Sequence, residues 1–158
     1  ILCTVLYFLN WIPPIPLSLT FGGIYHQIEK NHDEYLLTYE KGPWYDIWNE
    51  SNDRVGIESP VYCFSSVFAP VTIQTTIYHH WQWRPLDEHS SFRTTDHIPI
   101  TITGGREKGY RSYTTKHRVQ QGEWRVNVET EDGRILGRMT FVADGNLSAE
   151  PVMTTITR

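Results

Sequence analysis

The residues with the most evident chemical capacity are two adjacent imidazoles, His79 and His80, followed by Trp81. An imidazole can ligate a metal or move a proton near neutral pH. What this pair can do depends on the element that carries it. The run Val71–Arg84 alternates with period two. Val71, Ile73, Thr75, Ile77, His79, Trp81 and Trp83 face one way, and Thr72, Gln74, Thr76, Tyr78, His80, Gln82 and Arg84 the other. That is a strand whose first set is the core face. The two imidazoles then point to opposite faces and cannot share one metal. His79 is expected to be a core histidine whose ring donates to a backbone carbonyl or a neighbouring strand. A metal at His80 would need His26, His32, His89, His97 or His117, and no two of these have a recognisable ligand spacing. The sequence gives no reason to expect a metal or a cofactor.

A second candidate is Gly104–Tyr113. Consecutive glycines can present backbone N–H groups to an anion. Arg106, Lys108, Arg111, Lys116 and Arg118 cluster around it with only Glu107 opposing, and Tyr110 and Tyr113 add stacking faces. Arg106, Lys108, Tyr110 and Arg111 are the candidate ligand-binding residues. A phosphate, a lipid headgroup, an acidic glycan or nucleic acid could engage such a loop. The plainer reading is a hairpin loop with solvated charges. Trp44 and Trp48, with Tyr78 and Tyr110, could instead form an aromatic platform for a sugar ring. Otherwise the two tryptophans cap the sandwich or rest on a membrane surface.

Enzyme signatures are poor. There is no Gly-x-Ser-x-Gly elbow. Cys63 lies on an alternating strand without an assigned base and reads as a buried, inert thiol. Asp87-Glu88 and Glu129/Glu131-Asp132 are placed in turns, where acid pairs are solvated.

The chain has 158 residues, 39% hydrophobic and 20% charged, enough to build one folded domain. Its net charge of −4 argues against a whole-chain design for nucleic acid. Two cysteines, Cys3 and Cys63, exclude a disulfide framework. Residues 1–58 carry three basic and eight acidic side chains, whereas residues 59–158 carry eleven and ten. Phe21–Lys30 and Tyr35–Lys41 read as a hairpin around Asn31-His32-Asp33. Further strands follow at Val61–Phe68, at 71–84, around Ile98, Ile100 and Ile102, at Tyr110–Lys116, around Trp124, Val126 and Val128, and at Ile135–Val142. Glu131-Asp132-Gly133 is the turn before the last, because Asp-Gly supplies positive φ cheaply. Trp81 and Trp124 are assigned to the core, with Arg125 facing outward. No helical period appears from residue 60 on. The expected fold is all-β, an antiparallel β-sandwich of immunoglobulin-like or jelly-roll-like type. Residues 60–142 form its core, 21–59 a hairpin and an acidic aromatic connection, and 143–158 a polar, loosely held tail.

The chain opens with ILCTVLYFLNW and carries no Asp, Glu, Lys or Arg before Glu29. Pro13, Pro14 and Pro16 end any helix near Trp11 or Ile12. A helix of that length spans roughly 18 Å against roughly 30 Å of hydrocarbon. Residues 1–20 therefore read as the end of a transmembrane helix and a Pro-rich junction, with Tyr7 and Trp11 at the membrane interface. A buried N-terminal helix is the alternative. Lys30 is the single cation between Pro13 and Asp33, which leans towards an extracytoplasmic domain.

Four stretches, VYCFSSVFAP at 61–70, IYHHWQW at 77–83, GGREKGYRSYTTK at 104–116 and GEWRVNVETEDGRILGRMTF at 122–141, resemble a bacterial family known as domain of unknown function 2914. Its hallmarks fall here on His79/Trp81, on Arg111-Ser112-Tyr113 and on Gly122/Trp124/Arg125/Val126. The resemblance covers about residues 60–142. It implies a domain placed after hydrophobic segments, and no activity, cofactor or catalytic residue.

Together these readings suggest a non-enzymatic binding or interaction module, tethered to a membrane of the bacterial envelope through residues 1–20. Its expected partners are an anionic ligand or glycan and upstream transmembrane segments of the same chain, with no nucleic acid. One alternative is an enzyme acting on envelope glycan or lipid through His80 and a nearby carboxylate. Another is a structural domain that packs on its own transmembrane bundle.

Overall fold

The computed structural model describes residues 17–40, 54–70, 73–86, 89–145 and 153–158. The proposed membrane helix at 1–12, Cys3, Trp44 and Trp48 lie outside the described residues. Eleven strands are described: β1 Ser18–Tyr25, β2 Gln27–Asn31, β3 Glu34–Glu40, β4 Arg54–Gly56, β5 Val61–Phe68, β6 Gln74–Arg84, β7 Arg93–Thr103, β8 Tyr110–Lys116, β9 Gly122–Thr130, β10 Ile135–Asp144 and β11 Met153–Thr157. Among the described residues there is no helix, and so none long and apolar enough to cross a membrane.

Among the described residues three sheets form, in the orders β1-β5-β8, β4-β10-β9-β6-β7 and β11-β3-β2. All pairs are antiparallel except β4 with β10. The first two sheets pack face to face. Ile24, Val61, Cys63 and Val67 from one meet Ile77, Trp81, Trp124, Val126, Val128 and Phe141 from the other. The third sheet covers the opposite face of the first, where Phe64 joins Tyr25, Ile28, Leu37 and Tyr39. β5 is thus buried on both faces, which is why VYCFSSVF reads as a nearly continuous apolar run.

Trp81 and Trp124 are both 1% exposed, edge to face at 6.5 Å between ring centroids. Gly122 sits at φ +150°, and a Cβ there would lie 2.3 Å from Trp83 Nε1, so the start of β9 requires glycine. Gly133 takes φ +84°, as the Asp-Gly turn demands. Pro99 is tolerated because β7 is an edge strand.

The structure departs from expectation at three places. The stretch 21–30 is not one strand: β1 pairs with β5 in the sandwich, and after a bend at His26 only β2 forms the hairpin with β3. The segment 143–158 is not a loose tail throughout, since β10 runs to Asp144 and β11 pairs with β3. Glu129 is not in the turn but on β9, opposite Tyr78.

Candidate functional site

The outward face of the five-stranded sheet carries a register of polar side chains. In one row His97, His80, Asn127 and Arg138 are successive cross-strand partners on β7, β6, β9 and β10. The next row holds Thr94, Gln82, Arg125 and Thr140, and on the other side Tyr78 faces Glu129. A bulge makes this alignment possible. β7 pairs Asp96 with Trp81 but Thr94 with Gln82, so Thr95 is an extra residue. The bulge shifts the alternation of β7 and brings Thr94 onto the His80 face.

His80 Nδ1 lies 2.8 Å from Glu129 Oε1, and His80 Nε2 lies 2.7 Å from Thr94 Oγ1. His97 Nε2 is 3.6 Å from Glu129 Oε2, and the His97 ring stacks on Tyr78 at 4.3 Å. Asn127 Nδ2 donates to Glu129 Oε1 at 3.2 Å, and its own Oδ1 accepts from Arg138 Nε at 2.8 Å. One ligand atom from each of His80, His97 and Glu129 lies within 4.8 Å of the other two. Cross-strand pairing unites residues that linear spacing did not connect.

Further along the same face, Arg84, Arg125 and Arg138 share a cleft of about 450 Å³ with Phe92 and Glu123. Arg84 pairs with Glu123, and both Arg84 and Arg125 lie over the Phe92 ring. Burial pushes the Arg125 guanidinium below its ordinary pKa, the charges of Arg138 and Arg84 add to this, and Glu129 opposes it.

The inward face is different in kind. His79 is fully buried, with Nε2 2.8 Å from Ser65 Oγ and Nδ1 2.8 Å from Thr114 Oγ1. Both hydroxyls belong to the facing sheet, so the ring bridges the sandwich. Thr114 Oγ1 also accepts from Trp81 Nε1 at 3.0 Å. A neutral ring protonated on Nε2 satisfies every group: Trp81 donates to Thr114, Thr114 to Nδ1, and Nε2–H to Ser65. Burial pushes the His79 pKa down to about 4. The ring is a core histidine, as expected, although its partners are side-chain hydroxyls rather than a carbonyl. Cys63 is also buried, and burial drives its thiol well above the ordinary range, consistent with an inert thiol.

The structure disperses the 104–118 candidates. The Gly104 and Gly105 N–H groups donate to the carbonyls of Ile73 and Ala69 at 2.7 and 3.1 Å, so they do not cradle an anion. Arg106 covers the Tyr110 ring at 4.9 Å. Lys116 pairs with Asp96 and lies 5.0 Å from the Trp124 ring centroid. Burial alone would raise the Asp96 carboxyl, but hydrogen bonds from Lys116 and Thr95 and the Lys116 charge hold it below its ordinary value. Arg111 Nη1 donates to the Arg158 carbonyl at 3.0 Å and lies over Tyr35. Lys108 and Arg111 do share a cleft of about 240 Å³ with Arg158, lined also by Thr20, Phe21, Phe64, Ser66 and Thr157. No carboxylate side chain is among these lining residues. Arg158 comes from β11's end, which sequence reasoning did not bring near the loop.

Comparison with known proteins adds a family and distant folds. A family model described as protein of unknown function (DUF2914) matches residues 74–142. Among curated proteins none matches the chain. The alkylpurine DNA glycosylase AlkC of Pseudomonas fluorescens, solved bound to DNA containing an abasic site analog, is similar at 8% identity and TM-score 0.48, over 89% of this chain and 33% of that one. The chain thus spans about a third of that structure's length. An immunoglobulin-like protein from Pseudomonas aeruginosa is similar at 12% identity and TM-score 0.41, over 82% of this chain and 92% of that one. A GH3 β-glucosidase from Bifidobacterium adolescentis is similar at 11% identity and TM-score 0.40, over 88% and 18%.

Proposed function

The chain carries a DUF2914 domain over residues 74–142, and on that premise we propose that it is a non-enzymatic binding module for an anionic ligand, tethered to a membrane of the bacterial envelope. The observation that carries the proposal is the cleft that Lys108, Arg111 and Arg158 line together, with no carboxylate side chain among its lining residues. Its aromatic members, Phe21 and Phe64, lower the local dielectric and strengthen an ion pair formed there. Guanidinium groups suit the two-pronged geometry of a phosphate or carboxylate. The uncharged run before Glu29 supports the tether, and the scarcity of cations beside it an extracytoplasmic domain. The antiparallel sheets packed around Trp81 support an immunoglobulin-like reading of the sandwich.

A thermal-shift series on the full chain with inorganic phosphate, uronic acid oligomers and anionic lipid headgroups tests the proposal. A ligand at 100 times its dissociation constant stabilises by roughly 2.7 kcal/mol. The shift is expected to vanish in Lys108→Ala/Arg111→Ala while that variant melts, without ligand, close to wild type. No shift from any anion, or an equal shift in the double variant, rejects the reading.

The enzyme alternative is favoured by one observation, the 2.8 Å contact between His80 and Glu129. Against it, His80 lines neither of the two clefts described above. Hydrolysis of envelope glycan or lipid that is lost in His80→Ala would establish it.

A further inference from the structure

We propose that His80, His97 and Glu129 form a binding site for a divalent first-row transition-metal ion, with Zn2+ as the reference cation. Two imidazoles and one carboxylate are a ligand set that such ions take, and three protein ligands leave a coordination position open. The three residues come from adjacent strands, β7, β6 and β9, whose pairing holds the backbone rigid beneath them. His80 and His97 are direct register partners, and one ligand atom from each of the three residues falls within 4.8 Å of the others.

What distinguishes this trio from a chance surface cluster is that each member has its own support. Thr94 Oγ1 sits 2.7 Å from His80 Nε2. With Nδ1 given to a metal, Nε2 carries the proton and donates it to Thr94, the outer hydrogen bond that orients metal-bound histidines. Asn127 donates to Glu129 Oε1, and Asn127 is itself fixed by Arg138. Tyr78 stacks flat on His97, with an interplanar angle of 7°. Glu129 Oε2 is turned towards His97 Nε2 at 3.6 Å, beyond a good hydrogen bond and near the spacing of two ligands on one ion. The His97 side chain is 47% exposed, whereas those of His80 and Glu129 are 19% and 13% exposed, so the ion would enter from the His97 side. The bulge at Thr95 belongs to this arrangement, because without it Thr94 would face the core side of β7. The nitrogen ligands set the selectivity, since Mg2+ and Ca2+ prefer all-oxygen shells.

The test is titration of the metal-stripped full chain with Zn2+ by competition against a chromophoric chelator. The parallel Co2+ titration reports coordination through its visible absorption. The expected result is one Zn2+ bound per chain at this site and unaffected by millimolar Mg2+. Affinity should fall at least tenfold in His97→Ala and disappear for this site in His80→Ala/His97→Ala. Thr94→Val should weaken binding by tenfold or more while leaving all three ligands in place, which marks Thr94 as a positioning residue. Circular dichroism with a chelator present checks that each variant is folded. His97→Ala keeps the test open if the double variant does not fold, because His97 is the most exposed of the three. No Zn2+ binding to the wild-type chain overturns the proposal. So does unchanged affinity in His97→Ala, which would place any bound zinc at other histidines.

Discussion

His79 and His80 are neighbours on one strand and have opposite fates. His79 enters the interior of the sandwich and meets two buried hydroxyls, Ser65 and Thr114. Burial favours the neutral ring, because charging it there would cost desolvation and its described hydrogen-bond partners are hydroxyls rather than a carboxylate. His80 faces outward and meets the carboxylate of Glu129 within a network that reaches Asn127 and Arg138. One imidazole closes a core and the other is available for chemistry. The residue type is the same, and the face of the strand decides its role. Position on a pleat, rather than the His-His pair as a motif, carries the functional information.

The contrast can be broken most forcefully beside His79. Trp81→Ala removes one of the two largest buried side chains and the indole N–H that donates to the Thr114 hydroxyl, so it should cost about 3–5 kcal/mol in equilibrium denaturation. A near-neutral result would mean that the inner face is not the packed core described here. Acid provides the next largest effect. The unfolded chain binds a proton at His79 with pKa 6.5 and the folded chain at about 4. Between these values the unfolded state holds more protons, so stability rises with pH. Its contribution is full above pH 6.5 and is lost as pH falls towards 4, on the order of 3 kcal/mol across the window. Urea denaturation at a series of pH values should show this slope, and His79→Gln should flatten it. An unchanged slope in that variant would assign the acid sensitivity elsewhere.

Much of this was legible in the sequence, and the reasons are local. Val61–Phe68 and Tyr110–Lys116 are recovered as β5 and β8 because aromatic and β-branched residues between flanking breakers define them without reference to partners. The opposite facing of His79 and His80 follows from period two alone. The missed features all depend on pairing at a distance. Glu129 lies beside an Asp-Gly turn, and only the register of β9 against β6 shows that it is a strand residue near His80. His97 is invisible as a partner of His80 until β7 is aligned with β6, and the bulge that presents Thr94 exists only relative to that alignment. β11 reads as Thr-rich and polar, and its partner β3 is remote in the chain. The same holds for the cleft at Lys108 and Arg111, whose third cation, Arg158, arrives with β11.

The most direct test of the division between the two histidines is to compare His79→Ala and His80→Ala by urea denaturation at pH 7 with a chelator present. His79→Ala leaves two buried hydroxyls short of a partner and a void beneath them, and should lose on the order of 2–4 kcal/mol. His80→Ala removes a partly exposed polar contact and should lose about 1 kcal/mol or less. Equal losses, or the larger loss at His80, would contradict the account.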